Sequence, residues 1–559
     1  MQRSPARNER LSAPKAMAAA VAVAACHAQA FEFDTGNPDL KVRWDNTVKY
    51  SAARRMQNPL PELSTTTIVG GVTLGPNNIN QDDGNNNFDT GLVSSRLDVL
   101  SEFDVTWRNV GARVSAAGWY DTVYNRGNDN HTTTSNHIPS SQFPHETRNL
   151  MGRDAEILDA FVFARFDLAG EPASVRLGRH TMLWGESLFF GMNGIAGGQA
   201  PIDVIKLQSV PNAQFKETVL PTGKLSGQVR LHEDLTLGAY IDYEWKKTRL
   251  MPVGAYLSSS DVLGPGTERL YAGPLGAFTS NGNIEPSTHK FGQGGGMQLR
   301  WQHRPSETDF GFYLIRYNPT SPAALYTTVG GIPPALRAET YQWVYHEGTY
   351  ALGASFAKTF GIWSLSGEVS VRSDAPLAST SRRILPAANV GTQWNNKSDP
   401  GYALGRTGHA QLSWIANFGP SWLAQEASFL GEIAVNTVLS VTRNEEFLNP
   451  NSDRTAAAMR MVYAPTYRQV WPGVDLSPTV GGSYGWGRSR AVGPAFAVKK
   501  GGDFNIGLSA VYLNTWFASL TYTGYYGPTG SSLDNAGNAQ YRQSLKDRGF
   551  ISASLRTTF

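Results

Sequence analysis

The feature of this sequence that most restricts its fold is an alternation of apolar and polar side chains with a period of two residues. It is clearest at the C-terminus, where one face carries Ile551, Ala553, Leu555, Thr557 and Phe559 and the other carries Ser552, Ser554, Arg556 and Thr558. Successive side chains of a β-strand point to opposite sides, so the pattern predicts strands with one apolar face.

The same alternation recurs upstream and predicts about eighteen strands, with sixteen also compatible. The candidate strands are residues 39–50, 94–107, 111–124, 155–168, 173–180, 222–233, 234–246, 291–303, 308–318, 343–360, 361–373, 404–417, 422–442, 454–464, 473–487, 504–512, 516–524 and 549–559. Short connections, such as 108–110, alternate with long ones, such as 51–93 and 318–342. One closed antiparallel barrel with both termini at the short-turn end explains this asymmetry.

The composition favours a barrel that spans a membrane. No window holds the roughly eighteen apolar residues in a row that a transmembrane helix needs. Mean hydropathy is −0.31 although aromatic residues make up 11% of the chain, a mixture expected when alternate residues face lipid and water. The alternative, an exported soluble β-sandwich or β-helix, does not explain aromatic residues at strand ends such as Trp107, Tyr120 and Trp301.

The first thirty residues resemble a secretory signal. Basic residues precede the apolar stretch Met17 to Ala25, and Ala28-Gln29-Ala30 has the small-x-small form of a cleavage site. We therefore expect a signal peptide at 1–30 and a mature barrel at 31–559 that lacks cysteine, because the chain's only cysteine is Cys26. The alternative is a lipoprotein cleavage that would leave a lipidated Cys26 as the first residue.

If the apolar set of each strand faces lipid, the alternate set faces the lumen. The charged residues in that set are Glu102, Asp104, Arg113, Asp159, Arg165, Arg176, Arg230, Asp242, Glu244, Arg300, Glu368, Arg372, Glu432 and Arg556. Opposed acidic and basic clusters would orient polar solutes, whereas scattered pairs would only stabilise the lumen. The sequence leaves both interpretations open. A net charge of +3 without a basic, aromatic-rich run argues against a nucleic-acid partner.

Residues 184–221 are too apolar for an ordinary external loop. We expect them to fold into the lumen as a constriction, with Trp184, Glu186, Phe189 and Phe190 facing the path and selecting hydrophobic or aromatic solutes. The alternative is a cap of loops packed outside the barrel. The charged residues of this segment are expected to pair with lumen charges such as Arg176 and Arg230; they are Glu186, Asp203, Lys206, Lys216 and Glu217.

Catalysis is the competing class of function. The chain contains neither a Gly-x-Ser-x-Gly nor a His-Glu-x-x-His motif. His180, Glu186 and Ser187 combine a base, an acid and a hydroxyl, but these residue types also meet by chance in polar loops. We therefore predict that the protein is not an enzyme, with no catalytic residue, cofactor or metal site.

Several strings spread over the chain share the pattern of one protein family. They include Ala117-Gly118-Trp119-Tyr120-Asp121, Trp184-Gly185-Glu186-Ser187, Pro201-Ile202-Asp203-Val204, Lys216-Glu217-Thr218-Val219-Leu220-Pro221 and Pro472-Gly473-Val474-Asp475-Leu476. Residues 31–559 resemble a proteobacterial outer-membrane family known as domain of unknown function 1302. The resemblance implies a barrel in the outer membrane of a Gram-negative bacterium, and the predicted signal peptide implies that the chain reaches it after Sec-type export.

The expected function is a channel or facilitated-diffusion protein for small hydrophobic or aromatic organic molecules. A non-conducting scaffold in an envelope export system is the alternative, and an outer-membrane hydrolase is a third. The terminal Phe559, with Leu555 on the lipid face, resembles the ending recognised by the barrel assembly machinery. The other expected partners are membrane lipid, a small solute and, as the resemblance implies, a periplasmic or outer-membrane-associated protein and an RND-type exporter.

Overall fold

The chain forms one closed barrel of eighteen antiparallel strands, as predicted. The computed structural model describes residues 31–66, 68–69, 72–73, 78–287, 294–332, 334–384 and 394–559, so the predicted signal peptide lies outside the described residues. The barrel strands are β1 (Leu40–Arg55), β2 (Leu92–Trp107), β3 (Val110–Asp121), β4 (Arg153–Leu168), β5 (Glu171–His180), β6 (Thr222–His232), β7 (Leu235–Asp242), β8 (Gly294–His303), β9 (Thr308–Tyr317), β10 (Thr349–Phe360), β11 (Trp363–Pro376), β12 (Leu404–Phe418), β13 (Glu426–Arg443), β14 (Thr455–Trp471), β15 (Val474–Trp486), β16 (Gly502–Tyr512), β17 (Trp516–Tyr526) and β18 (Phe550–Thr558).

The barrel closes where the two ends of the chain meet. Strand β18 pairs with β1 from Arg55 opposite Phe550 to Thr47 opposite Thr558. The last residue, Phe559, continues this ladder, because its backbone exchanges hydrogen bonds of 2.7 and 2.9 Å with Asn46. A short strand at Phe31–Phe33 folds back on β1. Phe31–Phe33 and Phe559 therefore lie at the same rim.

The connections differ sharply between the two rims. One rim carries short turns, at residues 108–109, 169–170, 233–234, 304–307, 361–362, 419–425, 472–473 and 513–515. The other carries the long loops, at residues 56–91, 122–152, 181–221, 243–293, 318–348, 377–403, 444–454, 487–501 and 527–549. By the asymmetry usual in such barrels we call the first rim periplasmic and the second extracellular.

The outer and inner faces of the wall differ in polarity. On β11, Val369 and Val371 are exposed on the outside, while Glu368 and Ser370, which alternate with them, are buried on the inside. Exposed apolar residues repeat this alternation around the barrel and form the band that a bilayer covers. No helix among the described residues is long and apolar enough to span a membrane.

Regular structure also builds a cap on the extracellular rim. Three regions predicted to be loops, 247–290, 318–342 and 374–403, contain strands of a separate five-stranded sheet, and the predicted strand 343–360 begins only at Thr349. The sheet order is Arg269–Tyr271, Ala277–Ile284, Ala335–Val344, Ala324–Ile332 and Arg382–Ile384. Alternation alone cannot distinguish a strand that joins the barrel from one that pairs above it.

The remaining elements are short. A two-stranded ladder joins Ile68–Val69 to Val72–Thr73. The α-helical turns are α1 (Pro61–Ser64), α2 (Asp83–Asn86), α3 (His145–Thr147), α4 (Val204–Ser209) and α5 (Phe215–Thr218); a π turn covers Arg148–Gly152, and 3-10 turns cover Ile195–Gly198, Gly273–Leu275, Arg304–Ser306 and Glu445–Phe447.

Candidate functional site

Residues 184–221, which we call the inserted segment, lie inside the barrel. The segment follows β5 and leads into β6 at the extracellular rim. Its hydrogen bonds and ion pairs reach inward-facing residues on strands around most of the wall, from β1 to β13 and on to β18. The segment therefore crosses the lumen.

Two buried glutamates hold the first part of the segment against one wall. Glu368 on β11 accepts the backbone N–H groups of Glu186 and Ile195 at 3.0 and 2.6 Å. Glu432 on β13 uses Oε2 to accept three consecutive N–H groups, those of Leu188 at 3.2 Å, Phe189, and Phe190 at 2.9 Å. Carboxylates that accept backbone N–H groups form strong, charge-assisted hydrogen bonds. The backbone of residues 186–195 is thus fixed in place.

A guanidinium and an amide complete this attachment. Arg372 on β11 donates to the carbonyl groups of residues 192, 193 and 194, each at 2.9 Å. The buried side chain of Asn193 accepts hydrogen bonds from Asn436 at 3.1 Å and lies 3.1 Å from the Nδ1 atom of His409. The attachment therefore satisfies both the N–H and the carbonyl groups of a backbone that has no regular partner.

Aromatic side chains pack the same part of the segment onto the wall and the loops. Trp184 meets Tyr240 edge-on at 5.0 Å and stacks near Tyr313 at 6.3 Å. Ile195 is buried in the same cluster. Phe190 contacts Phe496 of the loop after β15 at 5.7 Å, and Phe189 lies 5.8 Å from the Arg460 guanidinium on β14.

The second part of the segment attaches to the opposite side through ion pairs. Asp203 caps α4 by accepting the Lys206 N–H at 3.0 Å and also binds Arg249 at 2.7 Å. The Lys206 ammonium lies 3.2 Å from Glu156 on β4, whose carboxylate also binds Arg249. This buried network offsets the cost of placing its four charges inside the barrel.

Four further contacts attach the segment to β1, β2, β17 and β18. Lys216 pairs with Glu102 on β2, and Glu217, which forms a capping box with Gln214 at the start of α5, lies 3.9 Å from Lys49 on β1. The Asn212 amide donates to the hydroxyl groups of Ser519 on β17 and Ser554 on β18, at 2.7 and 3.1 Å.

These partners differ from the two that the sequence suggested. Arg176 lies 5.8 Å from the ring of Phe161, and Arg230 pairs with Glu171 at 2.8 Å near the periplasmic rim. The expectation that the segment's charges pair with Arg176 and Arg230 is wrong. The segment leaves β5 at the extracellular rim, so its charged side chains pair with residues that lie closer to that rim.

The other predicted lumen residues fall into three groups. A cluster on β2 to β4 contains Glu102, Asp104, Arg113 and Asp159, in which Arg113 binds Glu102 and lies 3.8 Å from Asp104, and Asp159 accepts from Ser115 at 3.2 Å. Arg165 and Arg556 lie over aromatic rings, at 5.5 and 4.5 Å. Asp242 forms an ion pair of 3.4 Å with Lys224, while Arg300 is exposed on the inward side of β8.

Glu244 departs from its predicted place. The strand expected to run to residue 246 ends at Asp242, so Glu244 lies beyond it. Its carboxylate binds Arg179 at 2.6 and 3.0 Å and the Gly223 N–H at 2.8 Å. Arg179 shares the outward side of β5 with the exposed Leu177, so this pair belongs to the extracellular rim instead of the lumen wall.

The residues considered for catalysis do not come together. The two ring nitrogens of His180 lie 2.7 Å from the Ser226 hydroxyl and 3.1 Å from the Gly178 carbonyl. Glu186 and Ser187 instead belong to the stretch whose backbone binds Glu368 and Glu432. Several residues of the attachment were not singled out from the sequence. Lys49, His409 and Asn436 occupy the inward phase of their strands, but that phase alone does not identify a partner.

Three apolar side chains of the inserted segment remain open to the lumen. Leu188, Leu207 and Phe215 are 37, 58 and 68% exposed. Their sequence neighbours Phe189, Lys206 and Lys216 instead contact the wall. The segment is therefore fixed at its polar residues while apolar groups face the space inside the barrel.

An even-numbered closed barrel with an apolar outer band and a polar interior is a transmembrane β-barrel of the outer-membrane type. The chain belongs to the family described as protein of unknown function (DUF1302), whose model matches residues 12–559. This confirms the family inferred from the sequence.

Solved structures similar to the chain include three from Gram-negative bacteria. Acinetobacter baumannii OccAB4 is 9% identical, with 93% of this chain and 98% of that chain covered and a TM-score of 0.42. Pseudomonas aeruginosa OpdK with vanillate is also 9% identical, with the same coverage and a TM-score of 0.38. The A. baumannii outer-membrane channel DcaP is 8% identical, with 95 and 99% covered and a TM-score of 0.36. No curated protein matches the chain.

Proposed function

We propose that this protein is an outer-membrane channel through which small organic molecules with an apolar or aromatic part pass by facilitated diffusion. The observation that carries the proposal is the inserted segment, which is attached to the wall on both sides and leaves Leu188, Leu207 and Phe215 exposed inside the barrel. Exposed apolar side chains in a narrowed lumen would bind apolar parts of a passing solute.

The physical scale of such contacts suits transport. Burial of apolar surface contributes about 25 cal/mol per Å², so a small solute that covers part of Phe215 gains roughly 1 to 2 kcal/mol. Passage requires binding that is favourable enough for entry and weak enough for release. Arg165 and Arg300, both exposed on the inward face, add positive charge to the path, which supports passage of solutes that combine an apolar part with a polar or anionic group.

The proposal includes the location and the partners. The apolar band of the barrel suits the outer membrane of a Gram-negative bacterium, reached through Sec-type export and the barrel assembly machinery. A periplasmic or outer-membrane-associated protein and an RND-type exporter are proposed as further partners. A protein that inserts but conducts nothing would instead be a scaffold for such partners.

The central test replaces Leu188 to Val210 with a short Gly/Ser linker in protein reconstituted into liposomes. Uptake of a sugar and of benzoate and single-channel conductance should all rise, while the barrel remains heat-resistant in detergent. A variant that inserts normally but transports as the wild type does would show that the segment is not a constriction. If neither protein conducts or takes up solute, the scaffold function is favoured.

A second experiment tests solute preference. Phe215→Ser should lower benzoate uptake several-fold relative to sugar uptake, because it removes an apolar contact worth roughly 1 to 2 kcal/mol. Leu423→Ser is the control, because Leu423 is exposed on a periplasmic turn away from the segment. An unchanged ratio of the two uptake rates for Phe215→Ser would contradict apolar selection at this residue.

A further inference from the structure

Three aspartates meet in the extracellular cap, away from the inserted segment. Asp82 and Asp83 lie at the start of α2 in the loop after β1, and Asp261 lies in the loop after β7. They are 1, 0 and 0% exposed. One carboxylate oxygen from each lies within 4.8 Å of the others. Oxygen ligands about 2.3–2.6 Å from a calcium ion lie no farther apart than about 5 Å, so this spacing fits a shared ion.

Two of the three carboxylates have an oxygen without a partner. Asp82 Oδ2 accepts from Asn86 at 3.1 Å, and Asp261 Oδ2 accepts from the Asp83 N–H at 3.1 Å. The Oδ1 atoms of Asp82 and Asp261 are buried and accept no hydrogen bond from the described part of the chain. A buried carboxylate oxygen without a hydrogen-bond donor is energetically costly, so Asp82 and Asp261 each need a further partner.

A residue from a third loop gives independent support. Asn136 lies in the loop after β3, and its backbone N–H donates to Asp83 at 3.0 Å. Its side-chain oxygen is also buried and has no donor among the described residues, although its amide nitrogen binds Asn80 and residue 269. Asn136 thus contacts Asp83 through its backbone and carries a buried amide oxygen that has no donor. Amide and carboxylate oxygens are typical calcium ligands.

The charges near the cluster do not balance. The fully buried Arg548 lies beside Gly84, and its guanidinium acts electrostatically on Asp82 and Asp261. The other nearby cation, Arg55, lies 3.4 Å from a fourth carboxylate, Asp547. Among these described groups, four carboxylates face two guanidinium groups and His137, whose two ring nitrogens lie 3.2 Å from a carboxylate and a carbonyl oxygen, so one negative charge is left over. A bound cation would offset it.

We propose that Asp82, Asp83 and Asp261 bind one divalent cation in the cap, with calcium preferred. The oxygen-only donor set suits calcium better than zinc, which prefers nitrogen and sulfur ligands. His137 bonds to Asp83 at 3.2 Å and already uses both ring nitrogens, so it acts as a partner of the carboxylate. The ion would join the loops after β1 and β7 above the lumen.

The test uses the full mature protein purified in detergent and stripped with a chelator. Titration with calcium alone should show one ion per chain with a Kd below about 1 mM, the range of extracellular calcium sites, and magnesium should bind at least tenfold more weakly. Calcium should also slow protease cleavage within 56–91 and 243–293. Absence of calcium binding at millimolar concentrations would overturn the proposal.

Two variants locate the ion. Asp261→Asn should weaken calcium binding at least tenfold, and Asp89→Asn, at an exposed residue seven positions after Asp82 in the same loop, should bind as the wild type does. Resistance of the barrel to heat in detergent checks that both variants fold. If Asp261→Asn disturbs the cap, Asp82→Asn provides the second measurement. Unchanged affinity in both folded variants would refute the assignment.

Discussion

Releasing the first part of the inserted segment from the wall should open the lumen, and Glu368→Gln is the smallest change that does so. Both carboxylate oxygens of Glu368 accept a backbone N–H, from Ile195 at 2.6 Å and Glu186 at 3.0 Å. A glutamine has only one acceptor oxygen, so either orientation of its amide turns an NH₂ group toward one of these N–H donors. At least one hydrogen bond is therefore lost.

The magnitude follows from the type of bond. A hydrogen bond to a charged group contributes about 1.5–3 kcal/mol. Loss of one such bond should lower the free energy needed to release the segment by about 2 kcal/mol, relative to the wild type. Since about 1.4 kcal/mol corresponds to a factor of ten, release should become about 30 times more frequent. Glu432→Gln should have a smaller effect, because Glu432 binds all three N–H groups through one oxygen, which a glutamine can keep in place.

The assay is single-channel recording in planar bilayers. Glu368→Gln should visit a higher-conductance state more often than the wild type. Glu426→Gln is the matched control, because Glu426 is an exposed residue at the periplasmic end of β13 and forms a surface pair with Arg468 that is worth little. Release is followed independently with Phe189→Cys and a thiol reagent, which is specific because the predicted mature chain has no other cysteine.

Two results would refute the reasoning. If the thiol at position 189 becomes more reactive in the Glu368→Gln background while conductance stays the same, the attached segment does not restrict the lumen. If neither reactivity nor conductance changes, the two hydrogen bonds of Glu368 do not hold the segment in place.

The remaining predictions concern assembly and processing. Leu555→Asp puts a charge on the lipid face and should reduce insertion, at a cost below the roughly 2–4 kcal/mol of a basic residue at the midplane. Ser554→Asp, on the inward face, should reduce insertion less. Equal insertion defects in the two variants would contradict the assigned strand register. Deletion of Phe559 should lower the yield of heat-resistant barrel, and a normal yield would show that this residue is not needed for assembly. Mass spectrometry of the mature protein should find Phe31 as the first residue, and a lipid-modified Cys26 would show the other processing route.

The wall of the barrel could be predicted from the sequence. Because side chains alternate along any strand, the phase of a single exposed apolar residue fixes which of its neighbours point inward. Glu102, Glu368 and Arg372 were found in this way. The alternation of short and long connections also gave the strand number and the rim at which the chain ends meet. These are local properties, and local properties can be derived from one sequence.

Which inward-facing residues contact one another could be seen only in the folded barrel. Glu432 and Phe190 are 242 residues apart, and Asp82 and Asp261 are 179 apart, and their contacts depend on closure of the whole barrel. Strand phase places a charge inside but does not give its height or its partner across the lumen, which is why Arg176 was assigned a partner that it does not have. The predicted lumen position of Glu244 is wrong for a related reason. The end of a strand is set by its pairing with neighbouring strands, and the alternation of side chains does not encode that pairing.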